Sequence, residues 1–565
     1  MYSNKENINI LTSLLVSHEI ETAVVCPGSR NAPIVHNLNE HPNIKCYPVT
    51  DERSAGFYAL GLAQATQKPV VVCVTSGSAL LNLAPAVAEA YYQHLPLVVV
   101  SADRPMAWIN QLDGQTLPQP NAFGKFVGRG VNLIEPKDDT ERWYCNRLIN
   151  EALDITIGQL PCPVHINVPI SEPLFEFSVS QLPTQRIVKC TRLGLMNTKL
   201  SDKDASLAEH LFSDCSKPMI VLGQIAYGKI SQSLFDYCSN HVVILAEPLS
   251  QEGGAISFDE VLHAVGPNPN YMPDKICYIG DTVVSKRLRK FLRKSVAKTV
   301  MLTLDDAQNW SDPTQSISEV IKCPDWHSIE LVLRAMLTHI DGQHNEFYQS
   351  WNLLLHDAET IKNEFVPKYS QMAVVKYFEE QLEDFEIDYY VHYANSSAVR
   401  LANIYATHYV WCNRGVNGIE GSLSTVAGFS LAQEETDRVF CVIGDLSFFY
   451  DQNALWNQNL KGNLRIILLN NHGGGIFSQL KGLSDSPAAD SLVSAVHTSD
   501  AQGICTQNDI GYLKATNMEE MQIGMVTLMT RDANRPMLLE VITKCEDDAE
   551  VLKSYYEKIS NRLNK

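Results

Sequence analysis

Val439-Phe440-Cys441-Val442-Ile443-Gly444-Asp445-Leu446-Ser447, followed by Leu464-Arg465-Ile466-Ile467-Leu468-Leu469-Asn470-Asn471-His472-Gly473, is the part of the chain whose reading decides the fold. Each half is a short apolar run that breaks into Gly, Asp or Asn, as fully buried strands of a parallel sheet do. Both breaks then fall at the carboxyl ends of strands, where open α/β folds bind ligands. An Asp carboxylate, an Asn side-chain carbonyl and a backbone carbonyl just beyond make a hard-oxygen set. That set suits magnesium, which takes its remaining ligands from a bound diphosphate and water. The helix expected after Leu446 points its free N–H groups at the same anion. Taken singly, Gly-Asp is a turn with an N-cap and Asn-Asn-His-Gly a plain turn. Their joint spacing on two strand ends is what points to a diphosphate site.

The same kind of run recurs along the chain, at Val70–Val74, Leu97–Val100, Met219–Leu222, Val242–Leu245, Ile276–Ile279, Val300–Leu304 and Met537–Val541. Helix-like segments such as Ala79–His94 and Asp451–Leu460 lie between runs, and strand alternating with helix is the pattern of open α/β layers. Three blocks follow, over residues 1–180, 190–345 and 365–565. The first closes on the Pro-rich stretch around Leu160–Val168 and Pro169–Pro173; the last ends in a charged helix. The expected fold class is α/β, with three open parallel-sheet α/β domains.

Composition sets the outer limits. The 565 residues are 45% hydrophobic and 19% charged, which excludes disorder, collagen and coiled coil. At about 150 residues per domain the length suits three or four domains. The net charge of −19 argues against a nucleic-acid binder, which would show clustered basic charge. No run of about 18 apolar residues suggests a membrane span. No secretory signal is read at Met1–Ile10. The fourteen cysteines are scattered through apolar segments with no CxxC pair, as expected of buried thiols in a reducing, cytoplasmic setting.

A second group of motifs lies in the first block. Asp51-Glu52-Arg53-Ser54-Ala55-Gly56 leads into a helix of small residues, and the strand Val70–Val74 runs into Thr75-Ser76-Gly77-Ser78. By itself Glu52 reads as a surface acid at a helix start, where the dipole favours it. In order along the chain come Cys26-Pro27-Gly28-Ser29-Arg30, Asp51-Glu52-Arg53, Thr75-Ser76-Gly77 and Ser101-Ala102-Asp103-Arg104-Pro105. Asn413-Arg414-Gly415 with Gly418-Ile419, Gly444-Asp445-Leu446-Ser447 and Asn470-Asn471-His472-Gly473-Gly474 complete the series. Together they resemble the thiamine diphosphate-dependent SEPHCHC synthases of menaquinone biosynthesis, SEPHCHC being 2-succinyl-5-enolpyruvyl-6-hydroxy-3-cyclohexene-1-carboxylate. The generic superfamily signature is GDG followed by NN; Leu446 departs from it in the way usual for this family. The likeness spans almost the whole chain and is weakest in the middle block.

The resemblance implies decarboxylation of 2-oxoglutarate on the cofactor and addition of the succinyl carbanion equivalent to isochorismate. It implies thiamine diphosphate with magnesium, or manganese in its place, and Asp445, Asn471 and the Gly473 carbonyl as metal ligands. Glu52 would face the aminopyrimidine ring as the catalytic carboxylate. Thr75, Ser76, Gly77, Gly444, Leu446, Ser447 and Ile476 would contact the cofactor, and Ile419 would prop it in a bent shape. Substrate residues carry over to Ser29, Arg30, Arg104, Gln115, Lys286, Arg287, Ser396, Arg400 and Arg414, with Phe477 and Leu480 walling the pocket. Arginine suits carboxylates because its planar fork holds one with two hydrogen bonds. Ser396 and Arg400, four apart, are expected on one helix face. Simpler readings stand beside these: Lys286–Lys294 as a solvated basic helix face, and Ile419 as core. Because Glu52 and the metal residues fall in different blocks, the resemblance implies a homodimer or homotetramer with sites at the interface. The rival enzyme reading is another thiamine diphosphate carboligase or 2-oxoacid decarboxylase, such as an acetohydroxyacid synthase. The rival outside enzymes is a nucleotide-binding or regulatory module that kept the fold and lost the chemistry.

Overall fold

The computed structural model describes residues 1–190, 199–251, 253–254, 256–305, 310–475, 482 and 486–564. Among the described residues, sixteen strands fall into three sheets, one after another along the chain. The first holds β1 (Thr22–Val25), β2 (Lys45–Pro48), β3 (Val70–Val74), β4 (Leu97–Asp103), β5 (Arg129–Asn132) and β6 (Val164–Pro169), in the order β2-β1-β3-β4-β6-β5. The second holds β7 (Pro218–Leu222), β8 (Val243–Ala246), β9 (Lys275–Ile279), β10 (Lys298–Leu304) and β11 (Ile317–Cys323), in the order β11-β10-β9-β7-β8. The third holds β12 (Tyr389–Tyr393), β13 (Arg438–Gly444), β14 (Leu464–Asn470), β15 (Gly511–Ala515) and β16 (Met537–Ile542), in the order β12-β13-β14-β16-β15. Every pairing is parallel. The central strands β3, β4 and β14 are buried at every residue, which explains their unbroken apolar sequence. The fold is α/β, as read from the sequence.

Register decides what meets at the strand ends. Gly444 pairs with Leu469 and Asn470 with Ile542, so Asp445, Asn471 and Thr543 leave the third sheet side by side. In the first sheet Val25 pairs with Cys73 and Val74 with Ser101, which brings Cys26, Thr75 and Ala102 out together. The two sheets are joined through the helices Glu52–Thr66 and Ser422–Ser430. A Cβ at Gly61 would lie 1.9 Å from the Thr425 carbonyl oxygen, and one at Gly428 would lie 2.1 Å from that of Tyr58. Only glycine permits backbones that close.

Two helix expectations are corrected. Ala79–His94 is not one helix but two, Ser78–Asn82 and Ala84–Tyr92, because Pro85 has no N–H to continue the first and suits the start of the second. Asp451–Leu460 contains only the 3-10 turn Gln452–Leu455. The Asp451 carboxylate is taken by the Ser424 N–H and hydroxyl, and the Asn457 side chain accepts the Asn459 N–H, so local polar groups compete with the helix.

Candidate active site

At the end of β13 the chain turns into the short helix Asp445–Tyr450. Asp445 is buried, and burial pushes its carboxyl above the usual carboxylate range, opposed by hydrogen bonds and His497. Its Oδ1 accepts the Leu446 N–H at 2.6 Å and its Oδ2 the Gly473 N–H at 2.9 Å. His497 Nε2 stands 3.2 Å from Oδ2. The Ser447 hydroxyl donates to the Ile419 carbonyl, tying the helix start to the preceding loop.

The turn after β14 is built around two asparagines. Asn470 Oδ1 accepts the His472 N–H at 3.0 Å, which holds His472 at φ +63°. The Asn470 amide nitrogen donates to the buried Glu540 carboxylate at 2.7 Å. The Asn471 amide nitrogen donates to Asp548 at 3.0 Å, and no donor reaches its Oδ1 among the described residues. A buried carboxylate, a free amide oxygen and the backbone carbonyls of this turn fit magnesium only when a ligand supplies further oxygens. Consistent with that, among the described residues no three His, Cys, Asp or Glu side chains converge to hold a metal alone.

At the first sheet the candidate residues are part buried and part exposed. Glu52 is the first residue of its helix, capped by Asp51, and its charge adds to burial in pushing up the Cys26 thiol. Gly28 packs on Thr75, whose hydroxyl is buried without a partner. The Ser76 hydroxyl donates to the Gln115 carbonyl at 3.0 Å, and the Gly77 N–H donates to Gln119 at 2.8 Å. Arg30 is buried, bonded to the Ile170 carbonyl at 3.1 Å and ion-paired to Glu172 at 2.9 Å. Arg104 donates to the Gly114 carbonyl at 3.2 Å, with its Nε unpartnered. Ser29 and Gln115 are exposed.

Between the second and third sheets lies a cavity of about 330 Å³. Lys286, Arg287, Ser397 and Arg400 line it together with Asp259, Gln371, Asp548 and Tyr556. Arg287 is held by a short ion pair to Asp259 and lies 4.2 Å over the Tyr556 ring. Burial, and then the Arg414 charge, lowers the Arg400 pKa. Buried Glu247 accepts the Val284 and Ser285 N–H groups at 2.6 and 2.7 Å and the Asn403 amide at 3.0 Å. It thereby fixes the start of the basic helix Lys286–Lys294 against the helix Ser397–Tyr405 that carries Arg400. Arg414 is buried, bonded to Asn395 at 3.0 Å, and the next two N–H groups, of Gly415 and Val416, are both accepted by Glu89 at 2.7 Å.

Two groups of candidate residues result. Ser29, Arg30, Glu52, Thr75, Ser76, Gly77, Arg104 and Gln115 cluster at the first sheet. Asp445, Asn471, Gly473, Ser447 and Ile419 cluster at the third, with Lys286, Arg287, Arg400 and Arg414 alongside. Among the described residues no hydrogen bond or ion pair joins a member of one group to a member of the other. The neighbours of Glu52 do reach the third sheet: Asp51 accepts from Asn453 at 2.7 Å, and Arg53 donates to the Tyr450 carbonyl at 2.8 Å. Tyr450 is at the opposite end of its helix from Asp445, about 8 Å along at 1.5 Å per residue. The shared helix face expected for Ser396 and Arg400 is corrected: Ser396 has φ +73° and lies outside the helix, so Ser397 takes the cavity position. Ile476, Phe477 and Leu480 lie outside the described residues. Sequence reading missed Glu89, Glu247, Asp259, His497, Asp548 and Tyr556; no local pattern marks them, since each acts on a residue far away in the chain.

Residues 8–123 match the family model described as thiamine pyrophosphate enzyme, N-terminal TPP binding domain, which places the chain among thiamine diphosphate enzymes. The 2-succinyl-5-enolpyruvyl-6-hydroxy-3-cyclohexene-1-carboxylate synthase of Bacteroides thetaiotaomicron is 41% identical over 100% of both chains. That of Bacteroides fragilis is 41% identical over 99% of this chain and 100% of its own, and that of Porphyromonas gingivalis 32% over 99% and 98%. The chain belongs to the SEPHCHC synthase family.

Proposed function

We propose that the chain catalyses the SEPHCHC synthase reaction of menaquinone biosynthesis, a thiamine diphosphate-dependent transfer that joins the succinyl unit of 2-oxoglutarate to isochorismate. The observation that carries the reading is the cationic cavity of Lys286, Arg287 and Arg400, whose wall reaches Asp548 and through it the Asn471 turn. Both substrates are polycarboxylates, so a chain of net charge −19 needs local arginines where they bind.

Thiamine diphosphate, when bound, would supply the electron sink for loss of carbon dioxide from a 2-oxo acid. Glu52 would accept a hydrogen bond from the aminopyrimidine ring. Thr75, Ser76 and Gly77 border that ring, while Gly444, Leu446 and Ser447 border the diphosphate. Asp445, Asn471 and the Gly473 carbonyl would hold magnesium, or manganese in its place. Ile419 props the cofactor, and its side chain is open to solvent in the single chain, ready for that contact. Arg30 and Arg104 with Ser29 and Gln115 take substrate carboxylates on one side; Lys286, Arg287, Ser396, Arg400 and Arg414 take them on the other.

In this reading residues 1–180 form the pyrimidine-binding domain, 190–345 the central domain and 365–565 the diphosphate-binding domain. The working unit is a homodimer or homotetramer, with the Glu52 group of one copy facing the Asp445 group of another. Support comes from exposed apolar residues beside both groups: Leu81, Met106, Trp108 and Leu112 near the first, Val416 and Ile419 near the second. No described helix is long and apolar enough to cross a membrane, and a cytoplasmic location fits the pathway.

The test is mass spectrometry of the product formed from 2-oxoglutarate and isochorismate with thiamine diphosphate and magnesium. The expected result is SEPHCHC and one carbon dioxide per turnover. Preference for pyruvate over 2-oxoglutarate would replace this reading with that of another 2-oxoacid carboligase.

A further inference from the structure

The two asparagines of the Asn470-Asn471 turn are each tied by their nitrogen to a different carboxylate, Asn470 to the buried Glu540 and Asn471 to the half-buried Asp548. A carboxylate only accepts, so the contact itself fixes which end of the Asn471 amide is nitrogen and leaves Oδ1 facing the other way. Asp548 is in turn held by two further donors, the Gln371 N–H at 2.8 Å and the Thr543 hydroxyl at 2.9 Å. It sits in the first turn of the helix Cys545–Leu563, and Cys545 at the start of that helix donates its thiol to the Asn471 carbonyl at 3.3 Å. The C-terminal helix thus clasps Asn471 at both its side chain and its backbone.

We propose that Asp548 is a positioning residue for the cation: it presents the oxygen of Asn471, not its nitrogen, to the metal, and never touches the metal itself. The inference rests on the reading of Asn471 as a metal ligand. Partners of this kind behind metal ligands change metal affinity by about 10–100-fold when removed.

D548N is the informative variant. With its one oxygen on the fixed Gln371 N–H, its amide nitrogen would face that of Asn471 and turn the Asn471 nitrogen toward the cation. Magnesium is titrated by calorimetry into the full-length protein saturated with thiamine diphosphate, and the melting temperature is measured without metal. D548N is expected to weaken magnesium binding about 10–100-fold. N471A is expected to weaken it as well, and N471A/D548N to match N471A within about twofold, since one interaction is removed twice. If N471A binds magnesium like the wild type, the ligand reading itself falls, and the proposal with it. If N471A weakens binding but D548N does not, or the two losses multiply, Asp548 serves the fold alone and the proposal is overturned. Should D548N not fold, D548E keeps the charge while moving the acceptor by one methylene. Weakened magnesium binding there supports the proposal, and wild-type affinity with only a lower melting temperature overturns it.

Discussion

The strand ends of the first and third sheets are built from similar βα units and yet differ in how much of each is left exposed. At the third sheet Asp445, Asn470, Asn471 and Ser447 are all buried, and each is fixed to a backbone group or a carboxylate. At the first sheet Ser29 and Gln115 are exposed, while Thr75 and Arg104 keep buried polar atoms without partners. A site for a diphosphate and its cation gains from rigid donors that need no rearrangement on binding. A site for a reacting ring and incoming substrates needs unspent hydrogen-bonding groups. In the proposed function the third-sheet end would hold the cofactor and the first-sheet end would carry the reaction.

The sharpest way to break that contrast is to damage each end separately. E52Q keeps size and removes the charge from the first-sheet end, so turnover is expected to fall about 10²–10⁴-fold. Magnesium-dependent thiamine diphosphate binding, read by calorimetry, should stay near wild type. D445N strikes the third-sheet end and is expected to weaken that binding about 10–100-fold, with turnover largely restored at saturating magnesium and cofactor. Exchanged phenotypes, with E52Q losing the cofactor and D445N losing only turnover, would sink the division.

Much of the fold could be read because it is periodic. Valine-rich runs such as Val70–Val74 are buried on both faces, and that burial is written in consecutive residues. Asp445 and Asn471 were legible for a related reason, since both follow directly from a strand and the parallel register puts them together. What stayed hidden is contact between distant segments. Glu89 meets Gly415 and Val416 across more than 300 residues, and Asp548 reaches Asn471 only because β16 lies beside β14. The local chain gives no hint that Glu89 is other than a helix acid. The helix face expected of Ser396 failed differently: four-residue spacing describes a helix, but a positive φ at Ser396 starts that helix one residue later.

The cavity between the second and third sheets also carries a signature in pH. Burial pushes Glu247 from 4.5 to about 7, against its hydrogen bonds from Val284 and Ser285. Between those values the folded chain retains a proton that the unfolded chain has released. Stability from this group therefore falls as pH rises through the window, by at most about 1.4 kcal/mol per pH unit. E247Q has no such proton, so its melting temperature should gain on the wild type between pH 5 and pH 7.5. Its loss of one carboxylate oxygen that accepts a backbone N–H adds a penalty that does not vary with pH. Equal offsets at both pH values would mean that Glu247 is not strained by burial.

The smallest effect is expected where the two ends share a task, in gripping carboxylates. Arg400 lies in the cavity with its pKa lowered by burial and by Arg414, so its charge is already costly to keep there. R400K retains a cation but replaces the planar fork with a point donor, losing one of two parallel hydrogen bonds. A net bond of about 0.5–1.5 kcal/mol corresponds to a rise of about two- to tenfold in substrate KM. Turnover should change little, because the lost bond serves bound substrate and transition state alike. The same exchange at Arg104, at the first-sheet end, should give a comparable rise if both arginines grip substrate. A KM change confined to one of 2-oxoglutarate and isochorismate assigns each arginine its substrate. A fall in turnover with no change in either KM would move Arg400 out of the binding role and into the reaction itself.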